Sequence, residues 1–407
     1  MNNNRNYSRG ISIYLHKKIS KLIFLLFFLI AFVCGTYAQT KVDSVKDSWE
    51  TRWGVIMEVD WNDNVYKLSD SQQNRMNLNN PGDDVSGRFK DMENISDVIL
   101  SIAPELEVRT KDGLFGRSLS LSGIIDYQHF ISNTKKSHFN LGLSIRQKIS
   151  KKGKIILQAD YTPSYFKKNY LLDAIDSTGS VSSSERIYYE GVYNELEFLL
   201  SYKHLFNKWI MDVESELFVS YRSRNYNSQF PGRNQDAFGG GLAFEIVPAK
   251  RWYINLGYYF ESVQSPITKE VMILDEPDYQ IDFNNDRDFA DNNRRTEQTV
   301  NRSNYSNTLE LGLTFRPLKR LGLHAGFELL FRDYISQEPI DPNFKDRNDT
   351  RSKIRVGFDY QILKKLFIMV EYKNITQQTD RPEDPESVGE ETDYITNIVK
   401  AGIQWHF

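Results

Sequence analysis

Apolar and polar residues alternate along most of the chain after residue 50. Between Thr51 and Trp61 the odd positions hold Trp53, Val55, Met57, Val59 and Trp61, whereas the even positions include Arg52, Glu58 and Asp60. A period of two is typical of a β-strand with one apolar and one polar face. The pattern predicts about 14 strands, at residues 53–61, 98–108, 119–131, 139–149, 155–165, 196–202, 209–221, 238–246, 252–260, 309–315, 321–331, 356–362, 366–372 and 399–407.

The connections between these segments alternate in length. The short set comprises 111–116, 151–154, 205–208, 248–250, 316–320 and 363–365, whereas the other set comprises 62–96, 167–187, 225–235, 263–304, 335–349 and 377–393, with 132–136 as its one brief member. Short turns on one side and long loops on the other are typical of up-and-down barrels that span a membrane. The sequence therefore favours such a barrel over a soluble β-sandwich, whose strands also alternate.

Charge separates the two sets of connections in the same way. The short turns are rich in lysine and arginine, whereas residues 377–393 hold seven acidic residues against Arg381 alone. Basic turns suit the anionic lipid headgroups of the periplasmic side. We therefore predict short periplasmic turns and long extracellular loops.

Residues 1–38 have the features of a cleavable signal peptide. Basic residues precede the apolar run Leu22 to Val33, and Thr36-Tyr37-Ala38 supplies small residues at the cleavage positions. The apolar run of about 12 residues is short for a transmembrane helix. We predict a signal peptide at 1–38, a short periplasmic segment at 39–50 and an outer-membrane β-barrel at 51–407.

Composition narrows the class of protein further. Removing residues 1–38 takes away five basic and no acidic residues, which leaves 46 basic against 54 acidic residues and makes nucleic acid an unfavourable partner. The only cysteine, Cys34, lies within the predicted signal peptide. The mean hydropathy of −0.53 resembles that of a soluble protein, but barrel strands keep this average low because only alternate residues face lipid.

The last predicted strand resembles the C-terminal recognition strand of Gram-negative outer-membrane proteins. Val399, Ala401, Ile403, Trp405 and Phe407 alternate with polar or small residues up to a final phenylalanine. The resemblance implies that the barrel-assembly machinery reads this strand, with Ile403, Trp405 and Phe407 as the assembly signal. Because residues 39–50 are too few for a hatch or plug, the chain resembles a bare, porin-like barrel.

The polar positions of the strands predict a charged lumen. Its candidate lining residues are Glu58, Asp60, Glu105, Glu107, Arg109, Asp126, Arg146, Asp160, Glu195, Glu197, Asp212, Glu214, Glu216, Arg222, Arg224, Glu328, Arg332, Arg355, Asp359 and Glu371. One interpretation is a water-filled channel for small hydrophilic solutes, with Asp212, Glu214 and Glu216 beside Glu195 and Glu197 as an acidic patch. The other is an ion-pair network that blocks passage.

These features are compatible with three functional classes. We expect a porin-like channel for passive diffusion; the alternative is a non-conducting or export-associated barrel that docks surface or periplasmic partners. A lipid hydrolase is the third, because Asp126, His129, Ser132, Ser137 and His138 are close in sequence, although no Gly-x-Ser-x-Gly motif occurs. We predict no enzymatic activity, cofactor or metal. Expected partners are outer-membrane lipid, lipopolysaccharide and the assembly machinery, with a surface lipoprotein as a further candidate.

Overall fold

The computed structural model describes residues 49–70, 72–73, 91–111, 113–172, 187–208, 211–273, 295–336, 344–380 and 393–407. Sixteen strands lie in this part of the chain: β1 Trp49–Asn62, β2 Asp97–Thr110, β3 Leu119–Phe130, β4 His138–Lys148, β5 Gly153–Leu172, β6 Ile187–Lys208, β7 Met211–Tyr226, β8 Gln235–Ala249, β9 Trp252–Gln264, β10 Thr268–Ile273, β11 Arg295–Val300, β12 Asn304–Leu318, β13 Leu321–Tyr334, β14 Asn348–Leu363, β15 Leu366–Asp380 and β16 Tyr394–His406.

Fourteen of these strands form one closed antiparallel barrel, which confirms the predicted fold. Neighbours in sequence are neighbours in the barrel, except that β9 pairs with β12 and the barrel closes where β1 pairs with β16. The closing register runs from Gly54 opposite His406 to Asn62 opposite Ile398. Closure satisfies the backbone groups of both terminal strands, as a membrane-spanning sheet requires.

The apolar positions of the alternating pattern lie on the outside of the barrel. Leu309 and Leu311 are each 49% exposed, and on β1 exposed Met57, Val59 and Trp61 alternate with less exposed residues. Such a large apolar exterior is rare in soluble proteins. Trp252 stacks on Phe315 with ring centroids 4.3 Å apart, close to the short turns, where aromatic side chains suit the membrane interface. The exterior therefore fits lipid.

Strand lengths show at which end the barrel wall extends beyond the length needed to cross a membrane. A membrane span needs about 9–11 residues, whereas β5 has 20 and β6 has 22. Both strands run between a short turn and a long loop, so their excess length extends the barrel wall at the end where the long loops lie. We call this the loop end and the opposite one the turn end.

Some predicted boundaries need correction. Residues 205–208 were expected to form a turn, but they belong to β6, which pairs with β7 as far as Lys208 opposite Met211. The connection 263–304, predicted as one long loop, contains the β10–β11 hairpin. Trp209 and residues 381–392 lie outside the described residues. No helix among the described residues is long and apolar enough to cross a membrane.

Candidate functional site: the charged lumen and its first loop

Ion pairs that skip a strand identify the inner face of the wall. Lys154 on β5 reaches Glu214 on β7 at 3.1 Å, across β6, and Arg222 on β7 reaches Glu261 on β9 at 2.7 Å, across β8. Side chains from alternate strands converge only on the concave side of a cylinder. The charged face is therefore the lumenal face, and its residues alternate with the lipid-facing ones.

Several carboxylates on this face contact cations on neighbouring strands. Glu328 lies between two cations, 3.0 Å from Arg351 and 2.6 Å from Lys353. Lys400 is likewise shared by Glu58 at 2.8 Å and Asp60 at 3.4 Å. Charge-assisted contacts of this length offset the cost of partial burial.

Some charged side chains lie along the wall instead of crossing the lumen. Asp359 covers Gly322 and Arg355 covers Gly326 so closely that a Cβ atom at either glycine would collide with them. A recess of about 370 Å³ opens beside this region, lined by Glu58, Arg316, His324, Asp359, Glu371 and Lys400 among others. The lumenal face of the wall therefore carries charged side chains and leaves open space beside them.

The remaining predicted lumen residues are spread around the barrel. Their contacts are Glu105 with His406 at 3.1 Å, Glu107 with Ser120 at 2.5 Å, Asp126 with Ser101 at 2.6 Å, Glu195 with Arg224 at 2.5 Å, Glu216 with Lys203 at 2.8 Å, Glu371 with Lys373 at 2.8 Å and Arg332 with Asp349 at 3.7 Å. In the strand register Arg109 lies opposite Glu50, Arg146 opposite Ser120, Asp160 opposite Glu197 and Asp212 opposite Asn207.

The expected acidic patch on β6 and β7 is not formed. In the antiparallel register Glu195 lies opposite Arg224 and Glu197 opposite Arg222, both near the loop end. Glu214 and Glu216 lie near the turn end, where Lys154 and Lys203 contact them. Residues close to the β6–β7 turn pair with each other, so the two acidic sets are separated along the barrel axis.

The first loop enters the barrel mouth directly after β1. The Thr396 hydroxyl, on the lumenal face of β16, donates to the Asn64 carbonyl at 3.4 Å, and the Asn64 amide donates to the Ile395 carbonyl at 3.1 Å. Asn64 and Leu68 are 2% and 1% exposed. These contacts hold the start of the loop against the inner wall.

An aromatic row faces this loop from the opposite strands. His138, Tyr165, Tyr193 and Tyr226 come from β4 to β7 in order, with successive ring centroids 4.7, 5.1 and 5.1 Å apart. The Lys136 ammonium lies 4.4 Å from the centre of the Tyr66 ring and 5.5 Å from that of Tyr165, which connects the loop to the row. Cation–π contacts of this kind stabilise a positive charge in partly buried surroundings.

Sequence reasoning missed several residues of this region. Arg351 and Lys353 fell outside the predicted strand 356–362, although the alternation continues upstream through Ile354 and Ser352. Lys67 carries no periodic signal, since it lies in a loop. Its position depends on contacts between the first loop and distant strands.

The candidate hydrolase residues are divided between the two faces of the wall. The His129 ring lies 3.3 Å from the Ser137 hydroxyl and stacks on the outward Tyr127. Asp126 instead faces the lumen, where it accepts hydrogen bonds from Ser101 and Gln128. The His138 ring contacts the Lys136 carbonyl at 2.8 Å. The three groups of a serine–histidine–carboxylate relay therefore do not meet through Asp126.

The known proteins that resemble this chain do so in fold. No family model and no curated protein matches the sequence. Similar solved structures include the outer membrane channel DcaP of Acinetobacter baumannii (10% identity, TM-score 0.42, 89% of this chain and 99% of that chain) and an anion-selective porin from Comamonas acidovorans (9%, 0.37, 88% and 100%). The translocator domain of the autotransporter NalP from Neisseria meningitidis is also similar (8%, 0.30, 96% and 98%). The closed barrel of 14 antiparallel strands is itself the architecture of outer-membrane β-barrel proteins.

Proposed function

We propose that this outer-membrane barrel is a passive channel for small hydrophilic solutes and that it acts without catalysis. The observation that carries the proposal is that charged lumenal side chains lie against inward glycines, as Asp359 does at Gly322 and Arg355 at Gly326, beside an open recess of about 370 Å³. Because these charges lie along the wall, water and polar solutes can occupy the space between them. Paired walls of both signs also orient polar solutes.

The outer surface of the barrel indicates the partners of such a channel. The apolar belt contacts outer-membrane lipid, and the loop end contacts lipopolysaccharide. Assembly uses the barrel-assembly machinery, which reads Ile403, Trp405 and Phe407. In the structure the Phe407 amide donates to the Trp53 carbonyl at 2.8 Å, and the Phe407 ring stacks on Trp405.

The decisive experiment is single-channel recording of the purified protein in planar lipid bilayers. We expect discrete conductance steps in potassium chloride, and swelling of proteoliposomes in small sugars or amino acids. Heat-unfolded protein is the control for detergent and contaminants. Folded protein that gives no conductance steps in either orientation would contradict the proposal.

A non-conducting barrel that docks a partner is the second candidate. The observation in its favour is the first loop, which enters the mouth and is held there through Asn64 and Thr396. A surface lipoprotein bound at the loop end is the partner we propose for that case. Co-purification of such a lipoprotein with a protein that does not conduct would support this candidate over the channel.

A further inference from the structure

The turn that carries Lys67 has an unusual and well-supported backbone. Lys67 has a φ of 56°, in the left-handed region that lysine rarely adopts. The Asn64 side chain spans the turn, accepting from the Leu68 amide and donating to the Leu68 carbonyl, each at 2.8 Å. The Lys67 amide donates to the Asn64 carbonyl at 3.1 Å. Strain held by such contacts is concentrated at functional positions in proteins.

The Lys67 ammonium lies among cations from distant strands. Its nearest ring is Tyr394 of β16, 5.8 Å from the ammonium to the ring centre, and the Tyr394 hydroxyl also contacts Arg351. Enclosure by the surrounding protein and, to a smaller extent, the nearby positive charges together lower the pKa of Lys67 to about 8. These charges are Arg351 of β14, Lys167 of β5, Arg224 of β7 and Arg332 of β13. Strands this far apart around the barrel place Lys67 within the lumen.

Lys67 differs from these cations in its partners. Arg224 contacts Glu195 and Arg351 contacts Glu328, so their charges are largely compensated. No carboxylate lies within 4.0 Å of the Lys67 ammonium among the described residues, although Lys67 keeps a solvent-accessible surface within this enclosed region. The first loop therefore adds to the mouth a positive charge that no carboxylate of the described residues contacts.

We propose that Lys67, together with Arg224, Arg332 and Arg351, forms an anion-binding constriction that takes small carboxylate or phosphate anions. The proposal rests on the channel function proposed above and adds the class of solute. An anion contacting Lys67 replaces the missing carboxylate and relieves the repulsion between these cations. A weak, solvent-exposed site of this kind lets the anion leave as readily as it binds, as conduction requires.

The constriction loses charge at mildly alkaline pH. Lys67 is mostly protonated below about pH 8 and mostly neutral above it. Preference for anions should therefore fall as the pH rises through about 8. An arginine at position 67 should abolish this dependence while keeping the preference.

The test compares wild-type protein with Lys67→Met and Lys67→Arg in planar bilayers under a tenfold potassium chloride gradient. Between pH 6 and 9.5 we expect the wild-type chloride-to-potassium permeability ratio to fall by roughly two- to fivefold, as removal of one unit charge within several ångströms in water predicts. Lys67→Met should give the low ratio and Lys67→Arg the high ratio at every pH. Lys319→Met, in the β12–β13 turn at the other end, is the matched control and should behave like wild type.

Calorimetric titration with inorganic phosphate at pH 6.5 separates this inference from the channel function. We expect binding to folded wild-type protein that is reduced at least severalfold in Lys67→Met and kept in Lys67→Arg. Binding that depends on Lys67 in a protein without conductance would retain the anion site and overturn the channel. A conducting protein whose selectivity and phosphate binding are unchanged in Lys67→Met would overturn the anion site alone.

Discussion

Glu328 shows at the residue scale how the lumen accommodates charge. Its carboxylate is shared by Arg351 and Lys353, and its side chain is only 11% exposed. Burying an unpaired carboxylate to this extent would lower the stability of the fold. Two charge-assisted hydrogen bonds offset the hydration that Glu328 loses. The register explains the arrangement, because Glu328 lies directly opposite Lys353 and two residues from Arg351 on β14.

Replacing Glu328 tests this ion-pair cluster. Glu328→Gln leaves two cations without their carboxylate, so we expect unfolding to become about 2–3 kcal/mol easier. The free energy of unfolding is measured by guanidinium titration in lipid vesicles. Glu190→Gln removes one of the two carboxylates that contact Lys135 at the rim, where the glutamate side chain is 52% exposed, and should cost less than about 1 kcal/mol. Equal costs for the two variants would contradict the enclosed cluster.

At the element scale, the sequence predicts strands well and their lateral partners poorly. Alternation is a local property, so Trp53 to Trp61 or Leu309 to Phe315 are assigned to the outer face from the sequence alone. The partners of Glu195 and Glu214 depend on where β6 turns into β7, because the position of that turn sets the register of the two strands. The β10–β11 hairpin and the inward first loop depend on contacts between distant segments, which a periodicity cannot show.

The first loop is an element whose position can be changed by one substitution. Asn64→Ala removes three side-chain hydrogen bonds, two within the Lys67 turn and one to the Ile395 carbonyl of β16, and these contribute about 0.5–1.5 kcal/mol each. We expect the loop to leave the wall intermittently, so single-channel records should show more current fluctuation. Barrel stability should stay unchanged, because none of these bonds joins two barrel strands.

Asn234→Ala is the matched control for the loop. The Asn234 side chain accepts from the Tyr226 amide at 2.8 Å in the β7–β8 connection, so it stabilises a different loop at the same end. Its current fluctuations should equal those of wild type. Identical records from Asn64→Ala and Asn234→Ala would show that the first loop does not shape the conduction path.

At the scale of the whole molecule, one alternation has two consequences. The outward residues make the barrel insoluble in water and stable in lipid, while the inward residues build a polar lumen from the same strands. Closure between β1 and β16 makes this division complete among the barrel strands, because every strand then has two neighbours. The assignment of the two faces is therefore the property on which membrane insertion and the proposed conduction both depend.

Two adjacent residues of β12 provide a direct test of that assignment. Leu311 lies in the middle of the strand on the outer face, whereas Glu310 faces the lumen and lies opposite Glu328. Leu311→Arg places a charge in the hydrocarbon and should destabilise the barrel by about 2–4 kcal/mol, as expected near the bilayer midplane. Glu310→Arg reverses the charge but leaves it on the lumenal face opposite Glu328, so its cost should be much smaller. Guanidinium titration in vesicles and the folded fraction on unheated gels measure both variants; a larger loss in Glu310→Arg would reverse the two faces.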